Sequence, residues 1–160
     1  VLYVSKEIID QVRPVIVGWK STTDAWNFDR AFFELLSDAR KFEEGSLPWA
    51  LIVGFHAALE ILEEIGIPTI GRHIKGLVER LATGLVDLGA EVYPPPEMRH
   101  HILTFTHPDA ERARLLETLT EQGFVISRRR GRIRVSPHLY NTEDEIDLLL
   151  SSVEKCLNAA

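Results

Sequence analysis

With 160 residues and 45% apolar composition, the chain is long enough to build a real core as one domain or two small ones. A net charge of −6 argues against general nucleic-acid affinity, and the single cysteine, Cys156, excludes an internal disulfide framework. No segment reads as a signal peptide or as an apolar run of bilayer length, so no membrane association is expected and the expected location is cytoplasmic.

Val1-Leu2-Tyr3-Val4 has strand composition and is followed by a mixed stretch that Pro14 breaks. Because the chain opens at Val1 inside an apolar run, we expect a fragment or a processed piece. Residues 20–47 read as loop; their aromatics Trp26, Phe28, Phe32 and Phe33 are expected to pack against the body of the protein. Pro48 to Glu64 is a helix whose apolar stripe is Leu51, Phe55, Ala58 and Leu62, stopped by Gly66 and Pro68. A second helix from about Thr69 to Leu88 turns Ile70, Ile74, Leu77, Val78, Leu81 and Leu85 to one side. Short strands follow at Glu91 to Pro96 and at Ile102 to Thr106, then a helix capped by Asp109 and reaching Gln122. His100, His101 and His107 cluster here, but their spacing fits no zinc pattern and no metal is expected.

The next stretch carries the chemistry. Arg128, Arg129 and Arg130 lead to Gly131, a residue free to take positive φ, and Arg132-Ile133-Arg134-Val135 then alternates with the period of a half-buried strand. With Ile133 and Val135 inward, Arg132 and Arg134 share the other face. Pro137 ends the strand, and Thr142 with Glu145 forms a capping box that opens a last helix to Leu157, with Ile146, Leu149, Leu150 and Val153 facing in. A hairpin crowned with guanidinium groups suits carboxylate or phosphate, and it equally suits a solvated basic surface. From about residue 69 the element order is that of an α+β layer.

Gly123-Phe124-Val125-Ile126-Ser127, the arginine-glycine turn, Ile133-Arg134-Val135-Ser136-Pro137-His138 and Tyr140-Asn141-Thr142 together resemble the C-terminal end of class V, fold-type I aminotransferases. These pyridoxal-phosphate enzymes include cysteine desulfurases, selenocysteine lyases, kynureninases and isopenicillin-epimerase-like proteins. The resemblance extends upstream through Val15-Ile16-Val17-Gly18-Trp19 and Arg40-Lys41-Phe42-Glu43-Glu44-Gly45-Ser46. It implies an α/β to α+β architecture, with residues 1–68 the end of the large cofactor domain and 69–160 the small C-terminal domain. It also implies that Gly45 and Ser46 contact the cofactor phosphate of a neighbouring subunit, as a glycine and a hydroxyl can. A bare Gly-Ser equally suits a helix N-cap. One arginine of the hairpin would hold the substrate carboxylate: Arg129 matches the position used in desulfurase-like members, Arg134 that used in kynureninase-like members, and both stay open.

The departures limit what this chain does alone. In such enzymes the Schiff-base lysine, the aspartate on the pyridine nitrogen and the ring-stacking residue all lie upstream of the segment matched by Val1. Lys6, Lys20, Lys41, Lys75 and Lys155 have no matching context, so no catalytic residue is assigned and the chain is not expected to catalyse by itself. Desulfurases carry a nucleophilic cysteine just after their arginine, where this chain has Gly131-Arg132-Ile133, and Cys156 reads as a small packed residue. An aminotransferase-, lyase- or epimerase-like parent acting on an amino acid is therefore expected. Its partners would be an upstream large-domain segment and a second copy, with no nucleic acid. The alternative is a free-standing α+β module that grips an anion or RNA, although its hairpin strands lack stacking aromatics.

Overall fold

The computed structural model describes residues 1–29, 32–111 and 114–159. The chain divides into two compact units, Val1–Ala58 and Leu59–Ala160.

In the first unit regular structure is sparse. Val1 to Val4 is not a strand: a strand needs a neighbour to pair its backbone groups, and the described residues of this unit offer only the isolated bridge between Thr22 and Leu35. Two 3-10 turns, Trp19–Ser21 and Ala39–Phe42, organise the loop. Asp38 opens the second turn by accepting from the Arg40 amide at 2.9 Å, and it binds the Arg40 guanidinium at 2.7 Å. Lys41 is buried, and its ammonium donates to the carbonyl of Ile9, tying the first residues to this turn. The loop aromatics depart from expectation. Trp26 and Phe32 are 75% and 87% exposed, and Phe28 and Phe33 are also exposed, so the described residues do not cover them.

Helix α1 (Trp49–Ile65) forms where the sequence places it, but none of its residues is buried. The stripe through Leu51 and Phe55 therefore faces outward, with Leu51 73% exposed. A helix this apolar is stable in water only when something covers it.

The second unit holds the core. Helix α2 (Ile67–Asp87) starts after Gly66, with Pro68 in its first turn, and buries Ile70, Ile74, Leu77, Val78, Leu81, Ala82 and Leu85. Strands β1 (Glu91–Tyr93), β2 (Leu103–Thr106), β3 (Ser127–Arg129) and β4 (Arg132–Val135) make an antiparallel sheet in the order β1-β2-β4-β3. Leu103 and Phe105 lie opposite Val135 and Ile133, and this face packs on α2, α3 (Leu115–Glu121) and α4 (Glu143–Asn158). The unit is thus a two-layer α+β fold with helices on one side of the sheet.

Two local expectations shift. The third helix begins at Leu115, after Arg114 in a left-handed conformation (φ 46°), so Asp109 does not cap it. Instead the Asp109 amide donates to His107 Nδ1 in a turn, and part of the expected helix, residues 112 and 113, lies outside the described residues. The first strand stops at Tyr93, ahead of the prolines. The capping box on α4 is present in full: the Glu145 amide donates to Thr142 Oγ1, and the Thr142 amide to Glu145 Oε2.

Candidate functional site

The residues singled out from sequence fall into two groups, one in each unit. In the first, Gly45 and Ser46 follow the turn Ala39–Phe42 on a backbone that the chain braces from behind. Ser21 is buried; its hydroxyl accepts from the Gly18 amide at 3.1 Å and donates to the Glu43 carbonyl at 2.9 Å. Gly18 lies so close to this segment that a Cβ there would fall 1.8 Å from the Glu44 carbonyl oxygen. Only glycine fits at 18, and the Gly18–Ser21 turn thereby fixes the path of residues 43–45. A side chain at 45 would press to 3.3 Å from Trp19 Nε1, so this backbone stays bare on that side.

Ser46 is exposed and does not act as the cap of α1. The first turn of that helix closes on the Pro48 carbonyl, which accepts from the Leu51 and Ile52 amides at 2.9 and 3.1 Å. The Ser46 hydroxyl has no hydrogen bond among the described residues. A bare glycine backbone beside an uncommitted hydroxyl fits the phosphate handle of a cofactor such as pyridoxal phosphate. Beside this segment, Gly18, Trp19, Phe28, Phe32 and Phe33 line a cleft of roughly 310 Å³.

The second group is the hairpin. Arg130 (φ 50°) and Gly131 (φ 79°) both take the left-handed conformation, the pattern of a two-residue hairpin turn whose twist matches its strands. The register then sorts the arginines. Arg128 lies opposite Ile133, on the helix side, and its guanidinium pairs with Glu111 at 2.7 Å. Arg129 lies opposite Arg132, and Arg134 opposite Ser127, all on the sheet's other face. Across that face one row runs Tyr93, Thr104, Arg134, Ser127.

Three guanidinium groups therefore share one open face. Arg132 is partly neutralised: Nη2 donates to Glu91 at 2.8 Å, and the guanidinium stands 5.8 Å from the centre of the Tyr93 ring. Its Nη1 is buried without a hydrogen-bond partner. Arg129 is exposed, Arg134 is half-buried between the short side chains of Thr104 and Ser127, and neither has an ion-pair partner among the described residues. Sequence alternation puts Arg132 and Arg134 on one face, as observed, whereas Arg129 was singled out by the family resemblance alone. The Glu91–Tyr93 side of the site was not singled out, although Glu91 and Tyr93 alternate around Val92 in the same way. Gly45 and Ser46 lie in the first unit, and Arg129 and Arg134 in the second.

No metal centre is built: among the described residues no group of three or more His, Cys, Asp or Glu could hold an ion. Cys156 is buried in the core, and burial pushes its thiol above the usual range, away from the thiolate form. No described helix is long and apolar enough to cross a membrane.

Comparison with known proteins bears on the family and the fold. The family model for class-V aminotransferases matches residues 1–149. A probable cysteine desulfurase of Pyrococcus abyssi is 24% identical over 99% of this chain and 43% of its own length. A cysteine desulfurase of Haloferax volcanii is 28% identical over 96% of this chain and 39% of its own. An uncharacterized aminotransferase of Bacillus subtilis, YcbU, is 27% identical over 91% and 38%. In structure, the apo cysteine desulfurase of Thermococcus onnurineus superposes with a TM-score of 0.87 at 21% identity, over 99% of this chain and 42% of that one. The cystine C-S lyase C-DES, solved with its product cysteine persulfide, gives 0.81 at 23% identity, over 95% and 41%. The chain thus spans about two-fifths of the length of the relatives it matches. Matched over nearly its whole length by the family model, the chain belongs to the class-V aminotransferase family.

Proposed function

We propose that this chain is the C-terminal portion of a pyridoxal-phosphate enzyme that acts on an amino acid, of the aminotransferase, lyase or epimerase kind. The observation that carries the reading is the open sheet face, where Arg129 and Arg134 stand without acidic partners among the described residues, inside a family of such enzymes. When bound, the cofactor ring supplies an electron sink for charge developing at the substrate α-carbon. This chain's own residues bind and orient. Arg134 holds the substrate carboxylate: it sits on the inner strand β4, half-buried and flanked by small hydroxyl residues, so a planar anion can approach both edges of its fork. Ser46, with the Gly45 backbone, donates to the cofactor phosphate of a neighbouring subunit.

The lysine that would carry the cofactor belongs to a preceding segment. Within this chain Lys41 is buried against the Ile9 carbonyl and Lys20 stands over the Trp19 ring. That preceding segment and a second copy are the proposed partners. The outward apolar residues of α1 and the exposed aromatics of 26–33 support them, because large uncovered apolar surface is unfavourable in water. Persulfide chemistry is not part of the reading, since the hairpin has no cysteine and Cys156 is buried.

Co-expression of this chain with the preceding segment, followed by pyridoxal phosphate and borohydride, tests the reading. The stable adduct should map to one lysine of the preceding segment. Ser46→Ala should weaken cofactor binding several-fold, as the backbone donors remain. A stoichiometric adduct on a lysine of this chain would refute the assignment.

A further inference from the structure

The arginine face holds more positive charge than one carboxylate needs. Arg129 and Arg132 are directly opposite each other, an arrangement that repels unless an anion intervenes. Glu91 relieves Arg132 on one side only: it engages Nη2 and leaves Nη1 buried and unpaired, with the side chain still 30% exposed. Such an orphaned donor is uncommon in native proteins. Arg129 gains nothing from Glu91, and Arg134 is a diagonal neighbour of Arg129 across the same pair of strands. By contrast Arg128, on the helix side, is fully matched by Glu111. The excess of charge is therefore local to the open face.

Resting on the reading that Arg134 holds the substrate carboxylate, we infer that Arg129, backed by Arg132, binds a second acidic group, so that the substrate is an amino acid with an acidic side chain. Diagonal neighbours on adjacent antiparallel strands stand about 7–8 Å apart at their backbones. Two long arginine side chains on that spacing can reach the two acidic ends of a molecule of the aspartate–glutamate type. Thr104 and Ser127, flanking Arg134, leave room above the strands where a larger side chain would block it. A neutral amino acid would leave the opposed Arg129–Arg132 pair uncompensated and would bind less well. Arg129 is thus a specificity-determining residue.

The test uses the full chain and two probes at matched ionic strength, succinate with two carboxylates and propionate with one. Binding is followed through the arginine Nε–Hε resonances. Wild type should hold succinate at least tenfold more tightly than propionate. Arg129→Gln should bring succinate down to the propionate level, while Arg134→Gln should weaken both. Arg129 is exposed, so its replacement leaves the core intact. Equal affinity of wild type for the two probes, or an unchanged succinate preference in Arg129→Gln, would overturn the second subsite and leave the carboxylate site standing. Propionate binding that ignores Arg134→Gln would overturn the carboxylate site itself.

Discussion

Within the seven residues Arg128–Arg134, neighbouring arginines meet opposite fates because strand alternation and turn geometry send them to different places. Arg128 goes to the helix side and is matched by Glu111, Arg130 bends the turn, and Arg129, Arg132 and Arg134 stand on the open face. The turn depends on Gly131 at φ 79°, a region that costs a side chain about 1–2 kcal/mol. Gly131→Val should lower stability by about that amount in urea unfolding, with Gly131→Asn costing less, since asparagine tolerates this conformation better. The alternation in Arg132-Ile133-Arg134-Val135 made the inward and outward faces legible in sequence, and Ile133 and Val135 are indeed buried. The Arg132–Glu91 pair was not legible, because its partners are 41 positions apart and meet only once the sheet order is set.

Helices α2 and α4 are joined by charge as well as by apolar packing. Arg80 donates to both carboxylate oxygens of Asp147 at 2.6 Å and also meets Glu143. The Arg80 guanidinium holds the Asp147 carboxyl below its usual range. The charged form is thus favoured in the folded state, and its contribution is complete above about pH 4, the ordinary aspartate value. It disappears as pH falls through the depressed folded value. Asp147→Asn should therefore unfold at lower urea than wild type at pH 7, and the gap should close as the pH falls below the ordinary aspartate range. At the start of α4, Thr142→Ala should cost about 1 kcal/mol through the lost cap. The capping box and the helical periods of α2 and α4 are local signals, which is why both helices were readable. Strand composition at Val1–Val4 was misleading because pairing is non-local: without a neighbouring strand the segment has nothing to join. The third helix was overextended for a related reason. Asp109 spends its amide on the His107 ring in a turn, and the helix begins only after Arg114.

The two units differ in how much apolar surface they bury. Phe105, Leu77, Leu81, Leu85, Leu103, Leu115 and Leu119 are sealed in the second unit, whereas the buried residues among those described in the first unit are Ser21 and Lys41. Hydrogen exchange on the chain alone should protect amides of α2, β2 and β4 strongly and those of residues 1–47 weakly. Uniformly strong protection across 1–47 would mean that this unit needs no covering partner. Phe105→Ala should cost about 3–5 kcal/mol, as for other fully buried aromatics. The fold of the second unit was legible because its core is made by strongly periodic helices and strands. Uncovered α1 was legible as a helix but not in its exposure, since the apolar stripe through Leu51 and Phe55 is the same whether or not a partner is present. The proposed role of Arg134 is to hold the carboxylate of an amino acid in a pyridoxal-phosphate enzyme completed by a preceding segment. The most direct measurement is the amino-acid affinity of that reconstituted enzyme, read from the change in cofactor absorbance, for wild type and Arg134→Ala. The predicted result is at least a tenfold loss of amino-acid affinity with cofactor content unchanged. An Arg134→Ala protein that binds and turns over its amino acid like wild type would contradict the claim.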